Sequence, residues 1–261
     1  TLSTLPAREF PSIEDSIGTH QFEIPQNELK RLIERTAFAM AQQDVRYYLN
    51  GMLLELRSGR LRAVATDGLR LAICTHESTL DVPADTQVIL PRKGILELAR
   101  LLEDSQRGAT VTLGSNHVRV TTADFTFTSK LVDGKFPEYE GALPKNPRLT
   151  MIAPRTALRQ AFTRAAILSN EKYRGVRLRL ADGSLQIVAN NPEQEEAEEM
   201  LPVSFDGDGL EIGFNVGYLL DVLGVLSDDE VRFSLMDGNS SALVEEAGGG
   251  DSLYVVMPMR L

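Results

Sequence analysis

The chain repeats itself at an offset of 124 residues. Gly51–Gly59 has a counterpart in Gly175–Gly183, and the same offset carries the apolar run Ile95–Leu102 onto Leu219–Leu226. A fixed offset kept over such a stretch is typical of two copies of one structural unit. We therefore expect two similar units rather than one undivided core.

A shorter similarity indicates part of a third copy at the N-terminus. Leu5 precedes Phe10-Pro11 by the same number of residues that separate Leu131 from Phe136-Pro137. This spacing predicts that the sequence is a fragment beginning at the end of an earlier unit. We expect residues 1–19 to hold that tail and a linker, residues 20–147 the first full unit, and residues 148–261 the second.

Composition restricts the class of protein. The apolar fraction is 43 %, enough for two cores, and no apolar run is long enough to cross a bilayer. No signal peptide is recognisable, which favours a cytoplasmic protein. The single cysteine, Cys74, lies in an apolar stretch, so the sequence predicts a buried thiol and neither an internal disulfide nor a cysteine metal cluster.

Charge is unevenly distributed along a chain whose net charge is −10. Residues 155–174 carry five basic residues and one acidic residue, whereas residues 193–199 carry five glutamates. The net charge argues against a general basic coat for DNA, but a local basic face remains compatible with nucleic acid. The glutamate run favours a solvated strand or loop, with a divalent-metal site as the alternative.

Hydrophobic periodicity predicts two helices and several hairpin strands in each unit. Apolar spacing of three and four predicts helices over Gln26 to about Ala41 and from Pro154 onward, and second helices over Lys93–Leu102 and Val216–Leu226. Alternation of period two predicts the strands, in the order helix, strand pair, helix, strand pair. The expected fold class is α+β, with antiparallel sheets and two helices lining one face of each unit.

No catalytic motif is present. The three histidines stand apart from other metal ligands, and no Walker loop, Gly-x-Ser-x-Gly or HExxH sequence occurs. Asp67 in Thr66-Asp67-Gly68 is typical of a turn. We therefore predict a protein that is not an enzyme and has no cofactor or metal; a hydrolase using Asp67 and the glutamate run is the rival hypothesis.

Two other segments suggest binding. Tyr47 and Tyr48 follow a helix beside Arg46, so both rings could stack on bases or peptides, or one could be core and the other surface. The C-terminus places Met257 and Met259 around a proline, which suits an adaptable peptide groove or simply a last strand closing a sheet.

Together these segments resemble the bacterial DNA sliding clamp family, the beta subunit of DNA polymerase III. The resemblance spans essentially the whole chain and rests on eight segments in the family's order. These are Gln43–Gly51, Val64–Gly68, Pro91–Gly94, Phe127–Gly134, Ala165–Lys172, Asn190–Glu199, Gly213–Val216 and Tyr254–Leu261.

The resemblance implies repeated DNA-clamp domains, three per subunit, in a head-to-tail dimer that forms a ring around duplex DNA. It implies a processivity factor that docks linear peptides of polymerases, the clamp loader and repair proteins. A peptide-binding hub that does not encircle DNA is the alternative. Residues 1–19 would then end domain one, and the next two ranges would be domains two and three.

The resemblance also implies particular residues. Sequence-independent DNA contacts would come from the tyrosine loop and from helix cations: Gln43, Arg46, Tyr47, Tyr48, Lys30, Arg31, Arg35, Arg92, Lys93, Arg155 and Arg159. Peptides would dock between the last two domains, against Leu49, Thr66, Gly68, Arg70, Leu71, Pro137, Asn215, Tyr218, Asn239, Ser241, Val255, Met257, Pro258, Met259 and Arg260.

Ile167 and Leu168 match the family's dimer contact, whose partner surface lies in domain one, so we expect this sequence alone not to close a ring. Three positions depart from the family pattern. Leu69 replaces a common histidine, and Gly141-Ala142 replace an Arg-Val pair. The expected pocket rim is therefore smaller and less basic than is usual.

Overall fold

The computed structural model describes residues 3–9, 20–77 and 85–260. Most of the predicted tail of an earlier domain, including Phe10-Pro11, therefore lies outside the described residues. The first unit contains α1 (Gln26–Glu34), α2 (Arg92–Leu101) and strands β1 (His20–Pro25), β2 (Gly51–Arg57), β3 (Arg60–Thr66), β4 (Arg70–Glu77), β5 (Thr86–Pro91), β6 (Gly108–Leu113), β7 (His117–Thr121) and β8 (Thr126–Lys130).

The second unit has the same plan. It contains α3 (Arg155–Ile167), α4 (Val216–Val225) and strands β9 (Leu149–Pro154), β10 (Gly175–Ala181), β11 (Ser184–Asn190), β12 (Glu196–Pro202), β13 (Ser204–Phe205), β14 (Leu210–Asn215), β15 (Glu230–Leu235), β16 (Ala242–Glu246) and β17 (Ser252–Val256). In the part of the chain that the structure describes, short 3-10 helices cover Ala7–Glu9, Ala37–Ala39, Tyr47–Leu49 and Glu140–Ala142.

The α+β prediction with antiparallel sheets is confirmed, but the predicted element order is wrong. Each unit starts with a strand, and its first helix is followed by a run of strands rather than by one pair. The first strand of each unit escaped recognition because a proline ends it and directly precedes the helix, as Pro25 and Pro154 do.

The first helix is also shorter than predicted. α1 ends at Glu34, and a 3-10 turn replaces its expected last turns. The Thr36 hydroxyl donates to the Leu32 carbonyl oxygen at 2.7 Å, and Met40 turns to extended backbone. Such a side-chain bond to the backbone competes with helix propagation, so apolar spacing alone overestimates the helix.

Over the described residues the strands form three antiparallel sheets, one of which runs through both units. Two four-stranded sheets have the orders β1-β6-β7-β8 and β12-β11-β10-β14, and a nine-stranded sheet has the order β13-β9-β15-β16-β17-β4-β3-β2-β5. The units join where β17 pairs with β4, with Ser252 opposite Cys74 and Val256 opposite Arg70. The two copies therefore share one continuous sheet.

The nine-stranded sheet has apolar side chains on both faces. One face packs against residues of all four helices, including Leu29, Leu98, Phe162 and Leu219. The opposite face carries a smaller cluster, here called the outer cluster: Ala41, Leu49, Leu53, Val64, Leu71, Ile73, Ile89, Phe136, Tyr139 and Val255. Successive side chains of a strand point to opposite faces of the sheet. The helices and the outer cluster therefore lie on opposite sides of the nine-stranded sheet.

The predicted buried thiol is confirmed. Cys74 is free and fully buried on the helix side. Burial raises the pKa of this thiol to about 11, which keeps it protonated and unreactive near neutral pH. No helix of the described residues is long and apolar enough to cross a bilayer.

Candidate peptide-docking groove and DNA interface

The joint between the units brings together three of the predicted docking residues. Leu49, Leu71 and Val255 pack within the outer cluster, each at most 5 % exposed. Leu71 and Val255 are directly opposite each other across the β4–β17 ladder. Leucine and valine from both units therefore form an apolar floor at the junction.

The C-terminal segment continues β17 past this floor. The Met257 amide donates to the Leu69 carbonyl oxygen of the first unit at 2.9 Å, and the Met259 amide donates to the Gly213 carbonyl oxygen at 2.9 Å. Met257 is 45 % exposed, whereas Pro258 and Met259 are partly buried. Two backbone bonds thus fix an apolar C-terminal strip while leaving side-chain surface available to a ligand.

The turn before β4 is built from its own side chains. The Thr66 hydroxyl donates to the Arg70 carbonyl oxygen at 2.6 Å and accepts from the Gly68 amide at 3.0 Å. Asp67 accepts from the amides of Leu69 and Arg70 at 2.9 and 3.1 Å. Asp67 is thus a turn former, as the sequence predicts.

Arg70 points to the helix side of the junction. Its guanidinium lies 5.4 Å from the Phe38 ring centroid and 4.4 Å from that of Tyr218, and it forms ion pairs with Asp67 and Asp221. Burial raises the pKa of the Tyr218 hydroxyl, so the ring acts as a neutral platform for the cation. Asp221 is a partner that sequence reasoning missed, because nothing in the chain marks a contact between residues so far apart.

The remaining docking candidates lie around this centre. Asn215 caps α4 by accepting from the amides of Gly217 and Tyr218, so its side-chain oxygen is already engaged. Asn239 and Ser241 lie in the turn between β15 and β16, next to the end of β17 because Ala242 pairs with Val256. Pro137 is exposed beside the buried Phe136.

A cleft of about 390 Å³ adjoins the C-terminal strip. Met259 and Arg260 form part of its lining, together with polar residues that the sequence did not single out as a group: Asn170, Tyr173, Asn190, Asn191 and, with little side chain, Gly175 and Pro192. Tyr173 is 56 % exposed. The signal available in the sequence was an aromatic residue, Tyr173, between the two basic residues Lys172 and Arg174.

The predicted DNA-contacting cations fall into two groups. Arg31 forms an ion pair with Asp251, and Arg35 forms one with Glu246 and a bond to Ser227, so both join α1 to the second unit. Burial alone would lower the pKa of Arg35, but its contact with Glu246 outweighs burial and raises it. These two guanidiniums are engaged as links between units.

The second group is arranged differently. Arg159 and Lys93 are exposed on α3 and α2, and Lys30 is partly exposed on α1. Arg155 donates to the carbonyl oxygens of Asp228 and Leu223 at the end of α4, and Arg92 donates to the Met40 carbonyl oxygen. Arg155 and Arg159 also line a groove of about 300 Å³ along α3.

The tyrosine loop adjoins the start of α2, because the Arg92 amide donates to the Asn50 carbonyl oxygen at 3.0 Å. Tyr47 is 56 % exposed, while Tyr48 packs on the outer cluster; their rings meet edge to face at 5.8 Å. Arg46 binds Asp44, whose pKa falls to about 2 as a result, and Gln43 is exposed. One ring is thus available to a ligand.

The acidic run and the dimer candidates share one edge. Glu196, Glu198 and Glu199 lie on β12, and Arg164 of α3 lowers the pKa of Glu199 by hydrogen bonding to it. Ile167, 76 % exposed, ends α3, with Leu168 after it. Across residues 3–9, 20–77 and 85–260, no cluster of three His, Cys, Asp or Glu could hold a metal ion.

Two family models cover the chain: the DNA polymerase III beta subunit central domain matches residues 23–138, and the C-terminal domain of the same subunit matches residues 140–260. This chain belongs to the DNA polymerase III beta subunit family. The beta sliding clamps of Pseudomonas putida and Escherichia coli K12 are 62 % and 54 % identical to it, over 100 % of the chain and 71 % of each relative.

Solved clamp structures agree with this membership. The DNA polymerase III subunit beta from Pseudomonas aeruginosa superposes with a TM-score of 0.97 at 61 % identity, over 99 % of this chain and 71 % of that one. A sliding clamp from the same organism bound to griselimycin gives 0.95 at 61 % identity, over 99 % and 70 %. The beta-clamp fold is therefore established, whereas the domain boundary at 147/148 and the site residues remain predictions.

Proposed function

We propose that the chain supplies two domains of a sliding clamp: a processivity factor that encircles duplex DNA and docks linear peptides of replication and repair proteins. The observation that carries this proposal is the pairing of β17 with β4. It joins two copies of one unit head to tail.

The topology supports a recurrence of this joint in further clamp domains. The order β1-β6-β7-β8 corresponds to β9-β15-β16-β17, and the order β4-β3-β2-β5 corresponds to β12-β11-β10-β14. In the described part of the chain, β8 and β12 are sheet edges in the places that β17 and β4 occupy at the joint. Head-to-tail interfaces of this kind build rings when the rotation closes.

Charge distribution supports DNA on the helix side. Lys30, Lys93 and Arg159 are scattered over three helices rather than gathered into one binding pocket. Scattered contacts to phosphates give sequence-independent, salt-sensitive binding, which is compatible with sliding. The exposed Ile167 lies beside the acidic β12 edge, which supports that edge as an interface to a further clamp domain.

The groove supports the docking role. An apolar floor, two exposed or half-exposed methionines and a few polar groups suit an apolar peptide anchor. A sliding clamp from Pseudomonas aeruginosa has been solved bound to griselimycin, so we choose griselimycin as the probe and expect it to occupy this groove. The apolar floor of the groove lies on the face opposite the helices, whereas Arg70 and Tyr218 lie on the helix side of the same junction.

The ring can be tested by topology. The first domain of the Pseudomonas putida relative would be joined ahead of these residues and the product loaded by a bacterial clamp loader onto nicked circular DNA. Retention that is lost when the DNA is cut to a linear form supports encirclement. Retention indifferent to cutting, with groove binding intact, would instead favour the peptide-binding hub.

A further inference from the structure

Glu55 is a buried carboxylate on the outer face of β2, with no exposed surface. Its Oε2 accepts from Gln87 Nε2 at 2.7 Å and from Arg57 Nη2 at 3.0 Å, and its Oε1 accepts from the Tyr139 hydroxyl at 3.2 Å. Arg62 Nη1 donates to the same hydroxyl oxygen at 2.9 Å. A fully buried carboxylate is stable only with such partners.

The second unit provides an internal comparison. Glu55 is opposite Gln87 and Arg62 in the sheet, and Arg179 is opposite Glu211 and Gln186 at the equivalent positions. Arg179 and Glu211 also pair, but their side chains are 46 % and 52 % exposed. The sheet itself therefore does not bury this position.

The cover in the first unit is the segment 131–143, here called the strap. The amides of Leu131 and Val132 bind the carbonyl oxygens of Asn116 and Ile89, both at 2.8 Å. Beyond them, the backbone bonds that the structure describes for the strap are internal, from Ala142 to Tyr139 and from Leu143 to Glu140. The far end of the strap is thus attached to the sheet through side chains: the Tyr139 hydroxyl, an ion pair between Glu140 and Arg62 at 3.5 Å, and Leu143 packed on the outer cluster.

The strap is also part of the groove. Between its two attachments it places Phe136 in the outer cluster, which also contains Leu71 and Val255, and it leaves the next residue, Pro137, exposed. Burial raises the pKa of Tyr139, so the hydroxyl keeps the proton that it donates to Glu55. Movement of this end of the strap would shift the groove wall.

We propose that Glu55 and Arg62 are positioning residues for peptide docking, acting through Tyr139 to hold the strap in the binding-competent arrangement. This inference rests on the proposed docking function. When only a fraction of molecules holds the competent arrangement, apparent affinity falls by that fraction. Loss of one hydrogen bond corresponds to a fraction of roughly one half to one tenth.

The test uses Tyr139→Phe, which removes the hydroxyl but keeps the ring. Griselimycin affinity is measured by calorimetry, and amide hydrogen exchange is measured by mass spectrometry. We expect griselimycin to bind roughly two- to tenfold more weakly, with faster exchange confined to residues 131–143. Glu55→Gln should act in the same direction, and the double variant should show less than the summed effect because both changes affect one contact.

Glu211→Gln makes the same chemical change in the exposed Arg179–Glu211 pair of the second unit, where Glu211 is equivalent to Gln87, and it should leave both measurements unchanged. Unaltered affinity and strap exchange in Tyr139→Phe would overturn the positioning role while leaving the docking proposal standing. Faster amide hydrogen exchange across all three sheets in Tyr139→Phe would also overturn the positioning role, because that pattern indicates general destabilisation. Failure of the unmodified chain to bind griselimycin would defeat the docking proposal itself, and the groove role with it.

Discussion

The Arg70 guanidinium lies 4.4 Å from the centroid of the Tyr218 ring, and the two residues belong to different repeats. Asp221, one helical turn further along α4, forms an ion pair with the same guanidinium. A charged side chain of one unit is therefore held by an aromatic ring and a carboxylate of the other. This contact complements the β-ladder that joins the units.

Arg70→Lys should weaken the junction, because an ammonium loses the planar stacking and the forked hydrogen bonds of a guanidinium. We expect the free energy of unfolding to fall by about 1–2 kcal/mol, measured by urea titration. Arg159→Lys, at an exposed position on α3, is the matched control and should change stability little. Equal stability of both variants would show that the junction does not depend on this contact.

Arg159 and Arg35 should differ in their effect on DNA binding. Arg159→Gln should lower the slope of log affinity against log salt concentration by about 0.9, since an exposed phosphate contact is lost. Arg35→Gln should leave that slope unchanged and instead lower thermal stability, because Arg35 bonds to Glu246 at 3.0 Å. The salt dependence is measured by fluorescence anisotropy with duplex DNA. A slope lowered by Arg35→Gln and unchanged by Arg159→Gln would show that Arg35, and not Arg159, contacts DNA.

Acidic pH should remove the contribution of Glu246 to the free energy of unfolding. Burial would raise its pKa, but hydrogen bonds from the Ser227 amide and from Arg35 outweigh burial and lower it below the ordinary 4.5. A carboxylate with a lowered folded-state pKa stabilises above its unfolded pKa and loses this effect as pH falls through the folded value.

The stability difference between the unmodified chain and Glu246→Gln should therefore be largest near pH 7 and should shrink below about pH 4.5. Chemical denaturation across that range measures it. A difference that stayed constant down to pH 3 would be incompatible with this ion pair. Glu245, the neighbour of Glu246 on β16, pairs with Arg232 of β15, which is more exposed than Arg35, so Glu245→Gln is the control.

Met259→Asp should abolish griselimycin binding without unfolding the chain. An apolar ligand would desolvate the new carboxylate at a cost of several kcal/mol, whereas the backbone bond to Gly213 is kept. Met200→Asp is the matched control, because Met200 is 59 % exposed on β12, away from the groove. Calorimetry that found unchanged affinity in Met259→Asp would place the ligand elsewhere.

The repeat in the sequence predicts the architecture, and Gly51 illustrates the local cause of one of its glycines. A Cβ at Gly51 would lie 2.4 Å from the Leu90 carbonyl oxygen, so the strand can start there only with glycine. Helix positions can also be read locally, because apolar residues recur at helical spacing, as the buried residues of α4 do on one stripe. Local rules of this kind are readable from sequence.

Contacts between distant residues are not readable in the same way. Arg31 and Arg35 are basic residues of the kind expected on a helix that faces DNA. Only the fold shows that Asp251 lies next to Arg31 and that Glu246 lies next to Arg35. Glu55 in an alternating strand looks like a surface residue until the strap covers it. The apolar terminus predicts a docking region from the sequence, whereas the side chains that fix the geometry of that terminus come from elsewhere in the chain.

A crystal structure of this chain with griselimycin would test the account most directly. The account predicts the ligand on the face opposite the helices, touching Leu71 of the first unit and Val255 and Met257 of the second, with the β17–β4 ladder intact. A ligand held wholly within one unit, or seated on the helix side, would contradict it.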